Sequence, residues 1–179
     1  MLKVALINGS VRENNMTGKV LFFVENEIKR FPSIEIIKIY LRDFNLPFPG
    51  MEIENDNSKE LKRLLNLSDS FIIATPEYNG SFSAKLKLMI ENSGYPSKLK
   101  GKPISLIGVA DGSLGAVKSL EQLRSVCSHI GGIVLPRVVS IANVNDGFDA
   151  QGNCIKLEIK KELISSLNKF MSFINQYLK

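Results

Sequence analysis

The sequence predicts a doubly wound α/β sandwich, a five-stranded parallel sheet with helices on both faces. Three observations carry that expectation. Apolar runs of strand length alternate with stretches of helical period along the whole chain, no segment repeats, and most strand-length runs are apolar almost throughout. Strands of that kind are covered on both sides. Strict strand–helix alternation then puts right-handed crossovers between parallel neighbours.

Taken in order, the first strand spans Lys3–Asn8, followed by a helical face of Val20, Val24, Ile28 and Phe31. The second strand is Glu35–Tyr40, and Leu61, Leu64 and Leu65 mark the next helix. Ser70–Thr75 forms the third strand, and a helix from about Ser83 to Glu91 follows it. The fourth strand, Pro103–Val109, precedes a helix that carries Val117, Leu120, Leu123 and Cys127 on one face. Ile133–Val139 is the fifth strand, and Ile159, Leu163, Leu167, Phe170, Ile174 and Tyr177 line the last helix.

A chain of 179 residues suits one domain, residues 1–179, because two would each be small. With 44% hydrophobic and 23% charged residues the composition excludes disorder. The longest apolar runs, such as Phe71–Ala74, fall far short of the roughly 18 to 20 residues of a membrane span. The opening Met1-Leu2-Lys3-Val4 lacks the apolar stretch of a secretory signal, so a cytoplasmic protein without a membrane partner is expected. Cys127 and Cys154 stand alone, which disfavours a redox pair and a metal knuckle, and no metal is expected. Cations exceed anions by 23 to 18, but no Lys/Arg run exceeds two residues, so a nucleic-acid surface is not expected.

Ligands of such sheets bind beyond the carboxyl ends of the strands. After the first strand comes Asn8-Gly9-Ser10-Val11-Arg12-Glu13-Asn14-Asn15-Met16-Thr17, polar and immediately before a helix. A helix N-terminus attracts a phosphate, Arg12 can grip it bidentately, and Ser10, Asn15 and Thr17 can donate to it. The plainer alternative is a polar loop in which Thr17 caps the helix. A Walker A loop is excluded, since Glu13 stands at its first glycine position and Val20 follows Gly18-Lys19.

After the third strand, Thr75-Pro76-Glu77-Tyr78-Asn79-Gly80-Ser81 makes a tight turn in which Tyr78 could flank a planar ligand. The alternative is an ordinary connection. After the fourth strand, Ala110-Asp111-Gly112-Ser113-Leu114-Gly115-Ala116 is Gly-rich, and Asp111 or Ser113 is expected to cap the helix that follows. Asn8 and Thr75 stand where a phosphoryl-acceptor domain needs carboxylates. The chain has no G-x-S-x-G elbow for a hydrolase nucleophile. His129, the only histidine, reads as a helix-terminal residue.

Together, Gly9-Ser10-Val11-Arg12, Pro76-Glu77-Tyr78-Asn79-Gly80-Ser81 and Gly112-Ser113-Leu114-Gly115 resemble the NADPH-dependent FMN reductase family. The likeness extends to Leu120-Glu121-Gln122-Leu123-Arg124 and to Phe148-Asp149-Ala150-Gln151-Gly152. It implies a flavodoxin-like sheet of order 2-1-3-4-5. It also implies an FMN whose phosphate is held by Ser10, Arg12, Asn15 and Thr17, with Met16 also at the cofactor. The isoalloxazine would lie between Pro76, Glu77, Tyr78, Asn79 and Gly80 on one side and Asp111, Gly112, Ser113 and Gly115 on the other. The implied activity is ping-pong hydride transfer from NADPH or NADH to a small acceptor, a flavin, quinone, azo dye or metal oxyanion, with no side chain acting as catalyst. A homodimer or homotetramer is implied as well. An electron carrier of flavodoxin type and an FMN-binding sensor are the alternatives. Ser83 stands where the family usually has Pro, and Asp111 where it has a small uncharged residue.

Overall fold

The computed structural model describes residues 1–178. Its strands form where apolar runs lie: β1 (Leu2–Asn8), β2 (Ile34–Tyr40), β3 (Ser70–Tyr78), β4 (Ser81–Phe82), β5 (Pro103–Val109), β6 (Ile133–Val134) and β7 (Val139–Ile141). The helices are α1 (Met16–Ile28), α2 (Ser58–Leu67), α3 (Ala84–Glu91), α4 (Val117–His129) and α5 (Leu157–Tyr177). The parallel sheet runs β2-β1-β3-β5-β6, with β7 also on β5. The expected path is kept, with one inserted strand that shifts the numbering and one strand broken in two.

The first change is a hairpin. Asn79 and Gly80 both have positive φ, 52° and 75°, the conformation of a two-residue turn whose twist matches the strands it joins. Tyr78 therefore pairs with Ser81 and Glu77 with Phe82, so β3 runs three residues past the expected Thr75 and β4 is added. The second change is a break: the strand expected over Ile133–Val139 is two short pieces, β6 and β7. Pro136 has no N–H to give a ladder. The carbonyls of Leu135 and Pro136 instead accept from Arg124 Nη2 at 2.9 and 2.6 Å.

Alternate residues of each central strand feed opposite layers, as the pleat requires. Ala5, Ile7, Phe71, Ile73, Ile104 and Leu106 pack with Leu61 and Leu65 of α2, Leu86 and Met89 of α3, and Leu120 and Leu123 of α4. Val4, Leu6, Ile72, Ala74, Ile107 and Val109 pack with Val20 and Val24 of α1 and Leu163 and Phe170 of α5. Helix α1 ends at Ile28, yet Phe31, expected on its face, still packs on this second layer. Burial pushes the Cys127 thiol up to about 12, so it remains a neutral core side chain. Among the described residues no helix is long and apolar enough to cross a membrane.

Candidate functional site

The carboxyl ends of β1, β3 and β5 open on a cleft of about 510 Å³. One wall is the segment between β1 and α1, starting at Ser10. The loop is shaped mainly by amides, with Ser10 Oγ also accepting from the Arg12 N–H at 3.4 Å. Asn8 Oδ1 accepts from Ser10 N at 3.0 Å, and Asn15 Oδ1 accepts from Gly18 N at 2.7 Å while Asn15 Nδ2 donates to the Arg12 carbonyl at 2.6 Å. The N-cap of α1 is thus Asn15, not Thr17. Its amide is committed to holding the loop, which leaves Ser10 and Thr17, each 1% exposed, lining the cleft. The N–H groups of Met16 and Thr17 precede the helical ladder and have no backbone acceptor among the described residues.

Arg12 lies with its guanidinium 4.9 Å from the centroid of the Tyr78 ring. No carboxylate among the described residues forms an ion pair with it. Neighbouring Glu13 is taken by Arg42 at 3.0 Å. The cleft therefore presents one free cation beside a helix N-terminus, the setting for a phosphate. A larger cleft, about 770 Å³, lies across Asn14 and Asn15, but its cations are engaged. Lys19 Nζ donates to the Asp149 carbonyl at 2.7 Å, and Arg42 faces Glu13 and Asp43.

The second wall is Pro76-Glu77-Tyr78. Glu77 turns its carboxylate away: Oε2 accepts from Ser119 N at 3.1 Å, in the first turn of α4. That is a cap for a helix start, favoured by the dipole. Asn79 sits on the far side of Tyr78, in a separate groove with Phe82 and Gln122. Behind this wall Ser83 Oγ donates to the Gly9 carbonyl at 2.6 Å and accepts from Leu86 N at 3.2 Å, starting α3. A proline there could do neither, so the departure at Ser83 has a structural role.

The third wall is Val109, Ala110 and Asp111, with Val144 and Asn145 across from them. The expected cap of α4 by Asp111 or Ser113 is not formed. Its N-cap position is Ala116, whose N–H is taken by Ser140 Oγ at 2.9 Å. Asp111 Oδ1 accepts from Asn145 Nδ2 at 2.6 Å in the open. Replacing Asp111 with Ala should therefore lower stability by no more than about 1 kcal/mol, the range of one exposed hydrogen bond, as a urea melt would read.

The cleft thus gathers Ser10, Arg12, Asn15, Met16, Thr17, Pro76, Glu77, Tyr78 and Asp111. Gly80, Gly112, Ser113 and Gly115 are not among its lining residues, and Asn79 faces elsewhere. Val144 and Asn145 were missed because they follow a strand of only three residues, and Asn143 before them takes a positive φ that the sequence does not announce.

The sequence profile described as NADPH-dependent FMN reductase matches residues 2–146. The chain belongs to the NADPH-dependent FMN reductase family. As a member it is an oxidoreductase that works with FMN and NAD(P)H on a flavodoxin-like fold. It is 25% identical over 182 residues to a 2-hydroxy-1,4-benzoquinone reductase of Burkholderia sp, covering 97% of this chain and 96% of that one. It is 26% identical over 184 residues to an FMN-dependent NADPH-azoreductase of Staphylococcus aureus (strain USA300), with 97% and 96% covered. A flavoenzyme NAD(P)H:(acceptor) oxidoreductase from Paracoccus denitrificans superposes with a TM-score of 0.82 at 21% identity, each chain covered to 99%. The donor set of this chain fits FMN: two nearly buried hydroxyls, free helix N–H groups and an unpaired guanidinium suit a phosphate monoester. Tyr78, Pro76, Ala110 and Val109 supply the apolar part of the walls against which a ring system could lie.

Proposed function

We propose that the 510 Å³ cleft holds FMN and serves NAD(P)H and a small quinone or azo acceptor in turn. The observation that carries this is the unpaired Arg12 guanidinium beside the start of α1. Arg12, Ser10, Thr17 and the Met16 and Thr17 N–H groups hold the phosphate, while Asn15 shapes the loop around it. Pro76, Glu77 and Tyr78 border the ring on one side and Asp111 on the other, with Asn79, Gly80, Gly112, Ser113 and Gly115 setting the course of those two loops.

FMN, when bound, supplies hydride chemistry, and the chain contributes position, electrostatics and access. Exposed Val11, Leu114 and Val117 support a homodimer or homotetramer, since a partner copy would cover that apolar surface. Two unpaired cysteines agree with a cytoplasmic setting.

The test is steady-state oxidation of NADPH and NADH by FMN-loaded protein with a benzoquinone and an azo dye. Two substrates that occupy one cleft in turn give parallel double-reciprocal lines. Intersecting lines, or failure to retain FMN, would remove this reading.

A further inference from the structure

The α4 segment Leu120–Arg124 carries Gln122 and Arg124, whose side-chain bonds flavin binding leaves unexplained. Arg124 is accounted for by the break between β6 and β7. Gln122 points the other way, to the β3–β4 hairpin, and both ends of its carboxamide are used. Nε2 donates to the Gly80 carbonyl at 2.9 Å, and Oε1 accepts from Ser81 Oγ at 2.7 Å.

We propose that Gln122 is a positioning residue for the flavin-ring loop, clamping the Asn79–Gly80 turn to α4 so that Tyr78 is held in place before FMN arrives. The proposal rests on the flavin assignment of the cleft. Gln122 is exposed and is not among the cleft's lining residues, so its influence passes through the hairpin. Its anchor is firm, because its neighbours Leu120 and Leu123 are buried in the core.

The turn needs such a hold. Asn79 and Gly80 both occupy the left-handed region, and a two-stranded hairpin of two residue pairs is marginal by itself. Three contacts from adjacent turns of α4 fasten it: Ser119 N to Glu77, and the two bonds of Gln122. Tyr78 lies between these contacts and is the residue under the Arg12 guanidinium. A loosened turn would therefore disturb the ring wall and the phosphate cation together. The Gln122 carboxamide serves both, its Nε2 donating to the Gly80 carbonyl and its Oε1 accepting from the Ser81 hydroxyl.

The test compares the native protein with Gln122→Ala, Gln122→Glu and Ser81→Ala by amide hydrogen exchange and FMN titration. In flavin-free Gln122→Ala, exchange over residues 77–82 should speed up while β1 and β5 keep their protection. Its FMN dissociation constant should rise by about five- to thirtyfold, the factor set by one or two lost hydrogen bonds. Gln122→Glu keeps the acceptor for Ser81 and loses the donor for Gly80, so it should fall between. Ser81→Ala removes one bond with Gln122 in place and gives the same direction if Gln122→Ala fails to fold. Unchanged exchange over 77–82 overturns the clamp, and faster exchange at an unchanged dissociation constant overturns its role towards the flavin. Should the native protein itself not bind FMN, the flavin reading falls, while the exchange data still decide whether the clamp exists.

Discussion

Arg12→Ala is expected to weaken FMN binding by about 1.5 to 3 kcal/mol, the range for a hydrogen bond to a charged group, or roughly 10- to 150-fold in Kd. The reason is electrostatic. Arg12 faces the cleft without a carboxylate partner among the described residues, and an anion placed at the start of α1 finds no substitute guanidinium there, because Arg42 is held by Glu13 and Asp43. Arg12→Lys keeps a point charge and loses the bidentate fork, so it should fall between the two. Folding should be nearly unaffected, since Arg12 is exposed and gives up only its contact with the Tyr78 ring. Fluorescence titration of FMN with a parallel thermal melt reads both effects. A dissociation constant equal to that of the native protein would take Arg12 out of the site.

Gly115→Ala is expected to destabilise the fold by about 3 to 5 kcal/mol, summing a left-handed non-glycine residue, an overpacked contact and a lost cap. Gly115 has φ +68°, and a Cβ there would sit 2.5 Å from Ser140 Oγ. That oxygen takes the Ala116 N–H and so starts α4, which means the clash and the lost cap fall on the same group. For a domain of this length the melting temperature should drop by about 6 to 20 °C. Gly112 in the same loop is the control: a Cβ on it meets nothing within 4 Å, and its φ is not positive. Gly112→Ala should stay within about 0.5 kcal/mol of the native protein. Equal melts for the two variants would refute the account of Gly115.

The contrast between those glycines shows how far local pattern carries. Both stand in one Gly-rich loop, and nothing nearby in the chain distinguishes them. The strands β1, β3 and β5 were legible because fully apolar runs have no stable place except between two layers. The position of the cleft was legible for a related reason, since polar and glycine-rich loops at the carboxyl ends of such strands are where a ligand can reach the backbone. The flaw in the fifth strand was partly written at Pro136, but its remedy, Arg124 donating to two carbonyls, lies on another helix.

What the sequence by itself determined is the layered α/β fold, the three loops that meet at the site and, through their motifs, the family. Apolar periodicity and turn chemistry are properties of neighbouring residues, so they survive in one dimension. What only the tertiary structure decided is which side chain in each loop turns to the cleft. Glu77 is turned to Ser119, Asp111 is tied to Asn145 at the cleft and the Ala116 N–H to Ser140, across 42, 34 and 24 residues of chain. Asn15 rather than Thr17 caps α1 because its amide also reaches Arg12 and Gly18, which frees the Thr17 side chain for the cleft. A polar side chain takes the partner that folding brings within about 3 Å. Partners that distant in sequence are set by the packing of the sheet and its helices, not by the loop that carries the side chain.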